Sequence, residues 1–496
     1  MTLALRRCLV PLICIAALPA ALPAAAQEAD TAAYRAQGRA ELARLKAAVP
    51  IDRPARNVIV FIGDGMGVST LTAARIHQGQ IAGKDGESFV TAMDTLPHSA
   101  LVKTYSHDTQ VADSAPTATA ILSGVKTRNG SIGVGPEALV TDCAGALRHV
   151  VPSFIALAQQ QGRATGVIST ARITHATPAA AYAHTPERDW EAKLPAEAKA
   201  GGCKDIAAQL VEDKVGSKLD VVLGGGRRYF LPATAVDPEY PEVKGARDDG
   251  RDLIAEWQRR NRGARYITDT AGFAALDPAR DRKVLGLFQP DHMQYEADRN
   301  CDKAGEPSLA DMTRTSIAML SRERRGFVLL VEGGRIDHAH HAGNARRALE
   351  DAVALDQAVA AALEATKGTD TLIVTTADHS HAFAMAGYPA RGNPILGVVA
   401  GDDKQPSRAR DGKGYTTLGY ANGPGAVEGE RADPVATDTT VLDYKQQALV
   451  PLGGETHAGE DVAVRAAGPK AHLFKGTIEQ HSIYYVITDA LGVSEK

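Results

Sequence analysis

The segment VEGGRIDHAHH, residues 331–341, is the feature that most constrains what this chain can fold into. It places Glu332, Asp337 and His341 directly behind an apolar run, residues 327–331, that is typical of a buried β-strand. Ligands bind beyond the carboxyl ends of strands in open α/β sheets, and Asp337 and His341 have the spacing of one helix face. The segment predicts a metal site, and the alternative is a solvated acidic turn with a surface histidine.

Three further segments place potential metal ligands behind strand-like runs or in glycine-rich loops. They are NVIVFIGDGMG with Asp64, TLIVTTADHSH with Asp378, His379 and His381, and GGETHAGEDV with His457. Each segment alone is compatible with an ordinary turn or a surface histidine. Together the four segments supply enough oxygen and nitrogen donors for two zinc ions and a harder ion such as magnesium.

A candidate nucleophile precedes a run of good helix formers. In QVADSAPTATAILSG, residues 110–124, Asp113 and Ser114 stand before that run and Gly124 can end the helix. Backbone N–H groups and the helix dipole at such an N-terminus favour phosphate and a serine alkoxide. Ser114 is therefore a candidate nucleophile, and the alternative is a plain Ser or Asp cap.

Six separated motifs carry a family resemblance. They are DSAPTAT, HATPAAAYAH, ERDW, VEGGRIDHAHH, TADHSH and ETHAGEDVAV. In this order they resemble the alkaline phosphatase family, over nearly everything after the N-terminal segment. His175 and His338 stand where the animal-type enzymes have histidine. The resemblance implies an α/β fold with a doubly wound, mostly parallel central sheet flanked by helices.

The resemblance also implies a role for each candidate residue. It implies that Ser114 is the nucleophile and that Arg188, in ERDW, holds the phosphate. The implied ligands are Asp337, His341 and His457 for one Zn²⁺, Asp64, Asp378 and His379 for a second Zn²⁺, and Asp64, Thr177 and Glu332 for one Mg²⁺. His381 also matches a family histidine and is expected to support a ligand rather than to bind the metal itself. Whether His175 and His338 support a ligand in the same way is left open.

An additional calcium site stays open. The animal-type enzymes have a glutamate after the Phe of GLF and use it for Ca²⁺, whereas GLFQPDHMQYE places Gln289 there. Glutamine offers a carbonyl oxygen but lacks the charge that favours calcium.

The N-terminus predicts export. Arg6 and Arg7 precede an apolar stretch, and a run of three alanines before Gln27 supplies a cleavage pattern. Residues 1–26 are therefore expected to be a secretory signal peptide, and the protein to be periplasmic or extracellular. The adjacent arginines leave both the Sec and the twin-arginine routes open. No later run approaches the roughly 18 apolar residues that span a bilayer.

Export places the cysteines in an oxidising setting. Removing Cys8 and Cys14 with the signal leaves Cys143, Cys203 and Cys301, which allow at most one internal bridge. The resemblance implies that Cys143 pairs with Cys203. Cys301 is then the odd thiol and is expected to be buried and inert, with an intermolecular bridge as the alternative.

The order of strand-like and helix-like segments favours one large α/β domain over residues 27–496. Residues 401–447 are rich in Gly, Pro, Asp and Lys and are expected to form an inserted subdomain. In the family this region builds a crown near the dimer interface, so a homodimer is expected. The formal net charge of −4 argues against nucleic-acid binding.

The implied activity is hydrolysis of phosphate monoesters to an alcohol and inorganic phosphate through a phosphoserine intermediate. One alternative is a phosphodiesterase or sulfatase of the same superfamily. A sulfatase needs a Cys or Ser in a C/S-x-P-x-R context, and the residues after Ser114 lack that arginine. The other alternative is a phosphate-binding protein without turnover, which an intact nucleophile beside an intact ligand set disfavours.

Overall fold

The computed structural model describes residues 31–140 and 142–493, and β-strands form its centre. The strands are β1 (Asn57–Gly63), β2 (His98–Lys103), β3 (Ala164–Arg172), β4 (Val221–Gly225), β5 (Arg265–Ile267), β6 (Val284–Leu287), β7 (Phe327–Gly333), β8 (Thr371–Ala377), β9 (Ser380–His381), β10 (Phe383–Met385), β11 (Leu418–Gly423), β12 (Ala448–Pro451), β13 (His457–Ala458), β14 (Val462–Ala467) and β15 (Thr477–Glu479). The predicted signal peptide, residues 1–26, lies outside the described residues.

Helices connect and cover these strands. The α-helices are α1 (Thr31–Ala47), α2 (Val68–Ile81), α3 (Ser114–Ser123), α4 (Cys143–Ala146), α5 (Phe154–Gln160), α6 (Ala176–Ala179), α7 (Ala196–Ala200), α8 (Ile206–Glu212), α9 (Leu253–Arg260), α10 (Thr270–Ala274), α11 (Leu309–Leu320), α12 (Arg335–His341), α13 (Ala345–Ala365) and α14 (Ser482–Leu491). Short 3-10 helices span Met93–Thr95, Gly216–Lys218, Arg227–Phe230, Glu296–Cys301, Pro434–Ala436 and Ala471–Leu473. No helix in the described part of the chain is both long and apolar enough to cross a membrane.

Ten of the strands form one sheet in the order β15-β2-β14-β8-β1-β7-β3-β4-β6-β5. All pairs from β8 to β5 are parallel, and β14 runs antiparallel to both β8 and β2. Every residue of β1, β7 and β8 is buried, as expected for parallel strands covered on both faces. Helices α5, α11, α13 and α14 pack on the central strands. The predicted mostly parallel sheet flanked by helices is confirmed.

The register of the three central strands brings their carboxyl ends together. Gly63 at the end of β1 pairs with Gly333 of β7 and with Ala377 of β8. Asp64 and Asp378, each following one of these strands, therefore lie side by side. A separate two-stranded sheet pairs β13 with β9 and sets His457 opposite His381.

A three-stranded sheet in the order β10-β11-β12 lies apart from the main sheet. Its strands fall within residues 383–451, between β9 and β13. The small sheet also includes β10, which pairs antiparallel with β11 and precedes the expected insertion of about 401–447. The bounds of that insertion stay a prediction. That this region forms a crown at a dimer interface stays a prediction.

The structure contains a disulfide between Cys143 and Cys203, the pair that the family resemblance implied. Cys301 lies exposed at the end of a 3-10 helix and outside this disulfide. The expectation that Cys301 is buried was wrong, because the loop after β6 places it on the surface.

We expect the disulfide to stabilise the protein chiefly by restricting the unfolded chain. The cysteines are 60 residues apart, so the Cys143→Ser, Cys203→Ser double variant should lose about 2–4 kcal/mol of unfolding free energy. Denaturant titration measures this loss, with Cys301→Ser as the matched control that should change little. An unchanged midpoint in the double variant would contradict the prediction.

Candidate active site

Buried carboxylates gather where the central strands end. Asp64, Glu332 and Asp378 are fully buried and Asp337 is 4% exposed. Burial raises the pKa of Glu332 to about 8, and the nearby carboxylates of Asp378 and Asp337 add to the rise. Burial also raises the pKa of Asp64, again with help from neighbouring carboxylates. Charged groups crowded out of water in this way favour a bound cation or protonation.

The first group of candidate ligands surrounds Asp337. One turn of α12 brings His341 Nε2 within 3.2 Å of Asp337 Oδ1, and His457 Nε2 lies 3.3 Å from the same oxygen. The two Nε2 atoms are 3.1 Å apart. Burial raises the pKa of Asp337, but its contacts with the histidines outweigh that effect and hold the pKa well below its usual range. Two imidazole nitrogens converging on one carboxylate oxygen fit a zinc-type ion.

The second group contains the candidate nucleophile. His379 Nε2 lies 3.2 Å from Asp64 Oδ1 and 3.4 Å from Asp378 Oδ2. Ser114 Oγ donates to Asp64 Oδ1 at 3.2 Å and lies 3.0 Å from His379 Nε2. The ring of His379 stacks on that of His457 at 3.6 Å between centroids, so the two groups adjoin.

The third group is rich in oxygen atoms. Asp64 Oδ2, Thr177 Oγ1 and Glu332 Oε1 are buried and have no hydrogen-bond partner among the described residues. Glu332 is positioned by a short hydrogen bond from Ser169 Oγ. Ser169 lies within β3, and the sequence analysis did not single it out. Unsatisfied buried oxygens fit the coordination that Mg²⁺ prefers.

Ser114 is the first residue of α3 and is 2% exposed. The side chain of Asp113 accepts a hydrogen bond from the backbone N–H of Ala115, and Gly124 ends the helix in the left-handed conformation with φ of 73°. Asp113 is therefore the cap, and Ser114 is left to face the site. Asp113 Oδ1 also accepts from Arg188 Nη1 at 3.3 Å, which places the guanidinium beside Ser114.

Sequence reasoning missed Glu455. Its Oε2 lies 2.5 Å from His381 Nδ1, and His381 Nε2 lies 2.8 Å from Asp337 Oδ1. Burial lowers the pKa of His381, but the two carboxylates outweigh that effect and raise the pKa to about 9. The contact fits the supporting role expected for His381, although His381 is also close enough to join the ligands of the first group. The sequence signal for Glu455 was its place in the segment GGETHAGEDV, two residues before His457.

The histidines of the DHAHH motif have different neighbours in the folded chain. His340 is buried between Thr70 Oγ1 at 3.0 Å and the hydroxyl of Tyr420 at 2.9 Å, so it joins α12 to α2 and to β11 of the small sheet. His338 instead lies near His175 and near His292, a residue that the sequence analysis did not single out.

The region around Gln289 contains more carboxylate side chains than the sequence analysis identified. Burial raises the pKa of Glu306 to about 8, and the Asp302 carboxylate adds to the rise. Burial and Asp302 likewise raise the pKa of Glu239 to about 7. Gln289 is buried beside Glu306. Gln289 thus lies beside Glu306, which itself interacts with Asp302, and calcium stays an open expectation at this place.

Comparison with known proteins agrees with this geometry. The alkaline phosphatase family profile matches residues 55–493. The tissue-nonspecific alkaline phosphatase of Gallus gallus is 46% identical over 446 residues, which cover 88% of this chain and 84% of that protein. The alkaline phosphatase of Gadus morhua is 44% identical over 450 residues, covering 89% and 92%.

Alkaline phosphatases are also found among the solved structures that resemble this chain. The Thermus thermophilus alkaline phosphatase superposes with a TM-score of 0.64 at 25% identity, covering 91% of this chain and 94% of that one. A cold-active alkaline phosphatase from Shewanella sp. gives 0.62 at 26% identity, covering 88% and 99%. Fold, site and relatives together define a phosphoric monoester hydrolase. The chain belongs to the alkaline phosphatase family, and the predicted resemblance is confirmed.

Removing divalent cations should destabilise the folded protein, because its buried carboxylates would then repel one another without compensation. A ligand at a thousandfold excess over its Kd stabilises by about 4 kcal/mol per site. Prolonged chelation should therefore lower the melting temperature, and zinc plus magnesium should restore it. A melting temperature insensitive to complete demetallation would contradict the prediction.

Proposed function

We propose that this chain is an exported, metal-dependent alkaline phosphomonoesterase that works through a phosphoserine on Ser114. The observation that carries the proposal is the position of Ser114 Oγ, 3.2 Å from Asp64 Oδ1 and 3.0 Å from His379 Nε2. A serine hydroxyl buried among carboxylates and imidazoles, at the N-terminus of α3, has the surroundings that activate a nucleophile.

The proposed ligand sets are those that the family resemblance implied. Asp337, His341 and His457 would hold one Zn²⁺, Asp64, Asp378 and His379 the other, and Asp64, Thr177 and Glu332 the Mg²⁺. Bound there, these ions supply Lewis-acid charge that lowers the pKa of a nearby hydroxyl and stabilises developing negative charge. His381 and Glu455 are proposed to orient Asp337 and His341 through the contacts described above.

The chemistry then proceeds in two displacements. Ser114 Oγ releases its proton to solvent and attacks phosphorus, so that a new P–O bond forms while the bond to the leaving oxygen breaks, and that oxygen takes up a proton and leaves as the alcohol. Water next attacks the phosphoserine, the bond between Ser114 Oγ and phosphorus breaks, and inorganic phosphate leaves. A proton from the attacking water restores the Ser114 hydroxyl. Arg188 binds two phosphate oxygens through its planar fork, and Asp113 Oδ1, 3.3 Å from Nη1, orients that fork.

Export and assembly are further parts of the proposal. The Cys143–Cys203 disulfide fits an oxidising compartment such as the periplasm or the extracellular space. A homodimer is proposed from the family resemblance, with the small three-stranded sheet near the interface. N-terminal sequencing of the exported protein and light scattering at several concentrations test these two points.

A phosphodiesterase or a sulfatase would hydrolyse a diester or a sulfate ester faster than a phosphate monoester, and a protein that only binds phosphate would hydrolyse none of them. Initial rates on a phosphate monoester, a diester and a sulfate ester, each at measured metal content, separate these possibilities. The proposal requires the monoester to be hydrolysed much faster than the other two.

Ser114→Ala should remove the covalent route. We expect turnover to fall on the order of a thousandfold or more, with the fold and metal content near normal. No phosphoenzyme should be trapped at acidic pH from labelled substrate. Ser123→Ala, at the other end of the same helix, is the control and should still form it. Label on any other residue of the variant would place the nucleophile elsewhere.

Arg188→Ala should weaken phosphate binding without changing the metal content. A charge-assisted pair of hydrogen bonds is worth on the order of 1.5–3 kcal/mol, so kcat/KM should fall roughly 10-fold to 150-fold. Inhibition by inorganic phosphate should relax with it, while Arg148→Ala, whose side chain is 68% exposed, should behave as wild type. Equal phosphate inhibition in the Arg188 variant and the wild type would show that Arg188 does not hold phosphate.

A further inference from the structure

A row of basic side chains lies at the amino ends of the parallel strands, at the opposite end of the sheet from the candidate active site. The neighbouring strands β1, β7, β3, β4, β6 and β5 each begin within three residues of an arginine or a lysine. In the order of the strands these residues, here called the basic row, are Arg56, Arg324 and Arg325, Arg163, Lys218, Arg282 and Lys283, and Arg262. Adjacent strands are about 4.8 Å apart, so the basic row extends over about 24 Å.

The loops that carry the basic row contact one another. Arg163 Nη1, before β3, donates to the backbone oxygen of Arg56, before β1. Lys283 Nζ, before β6, donates to the backbone oxygen of Ser217 at 2.5 Å, in the loop that leads to β4. The backbone oxygen of Lys283 accepts from the N–H of Arg265, the first residue of β5, at 2.9 Å. The basic row is therefore one surface of the fold, although its residues are dispersed over the sequence.

The exposed members of the basic row have no ion pair. Arg262, Arg282 and Arg324 are exposed, and no carboxylate among the described residues lies within 4.0 Å of their guanidinium nitrogens. Arg314 on α11, by contrast, lies 2.6 Å from Asp311 of the same helix. The three unpaired guanidinium groups are therefore open to an external anion.

Nearby carboxylates offset only part of this positive charge. The four residues before each of the six strands include three acidic side chains, Asp220, Asp281 and Glu323, against the eight members of the basic row. The carboxylate of Asp220 accepts from the N–H of Thr165 at 2.8 Å, and that of Glu323 accepts from the N–H of Arg325 at 3.1 Å. A local positive excess thus remains on a chain whose formal net charge is −4.

The basic row offers charge without an apolar or aromatic anchor. None of the large apolar side chains that are exposed in the described part of the chain belongs to its loops. Proteins hold single-stranded nucleic acids largely by stacking bases on aromatic side chains, so this surface does not fit such a partner. An anionic bilayer attracts basic side chains by charge alone. Its phosphate groups also diffuse laterally and can meet charges that project from separate loops.

We propose that the basic row docks this protein on the surface of an anionic lipid bilayer, through the phosphate groups of the lipids. Most members of the basic row are arginines, whose planar fork matches phosphate oxygens. Strand β7 separates the basic row from the buried carboxylates of the candidate active site by roughly 20 Å. A molecule docked in this way directs that site toward solvent. The inference goes beyond the proposed reaction and does not depend on it.

Removing charges from the basic row is the test. Binding of the metal-loaded protein is measured by sedimentation with phosphatidylcholine vesicles that contain phosphatidylglycerol. Each basic residue near an anionic surface is worth about fivefold in the partition coefficient, so the triple variant Arg262→Gln, Arg282→Gln, Arg324→Gln should bind on the order of a hundredfold more weakly. If that variant does not fold, Arg56→Gln with Lys218→Gln should lose about 25-fold by the same reasoning.

Two conditions and two control variants isolate the basic row. Wild-type binding should weaken as salt rises and should be absent on pure phosphatidylcholine vesicles. The variant Lys303→Gln, Arg410→Gln, Lys445→Gln removes the same charge from exposed residues outside the basic row and should bind as wild type does. Arg188→Ala should also bind as wild type does, which separates the basic row from the proposed phosphate clamp.

Four results would overturn the inference. The first is no binding of the wild type to phosphatidylglycerol vesicles at low salt. The second is an equal loss in the two triple variants, which would make overall net charge the cause. The third is weaker binding of Arg188→Ala, which would place lipid phosphate in the candidate active site. The fourth is tighter binding to duplex DNA than to vesicles, lost in the basic-row variant, which would make nucleic acid the partner.

Discussion

The structure depends on the burial of like charges at the carboxyl ends of three parallel strands. Asp64, Glu332 and Asp378 lie where β1, β7 and β8 end. The parallel register of these strands holds the three carboxylates close together. Their mutual repulsion is a cost that the apolar strands beneath them must offset. This cost explains why so many imidazoles and hydroxyl groups surround the carboxylates, and it favours the binding of cations at this place.

Much of this arrangement could be predicted because short segments of the sequence determine it. An apolar strand followed at once by a carboxylate fixes where that carboxylate will lie once the strands become neighbours, as Asp64 and Asp378 show. The helical spacing of Asp337 and His341 is also local, and it correctly placed both side chains in one group. The disulfide could be inferred only through the family resemblance.

The rest depended on long-range packing. Ser169, His292 and Asp302 lie in segments with no distinctive local pattern, and Glu455 lies in a recognised motif but was given no role. Their importance follows from the side chains that they meet in the folded chain. The exposed Cys301 was missed for the same reason. Composition marked residues 401–447, whereas the pairing of β10 with β11, which composition does not reveal, extends the small sheet back to Phe383.

The disulfide closes a loop of the chain that contains several of the proposed site residues. His175, Thr177 and Arg188 all lie between Cys143 and Cys203, inside one covalently closed loop. A protease that cut the backbone once within this loop would leave both fragments joined through sulfur. Arg188, proposed to hold phosphate, and Thr177, proposed to hold magnesium, would remain covalently attached whichever side of the cut they lie on. The cut would become visible as two chains only after reduction.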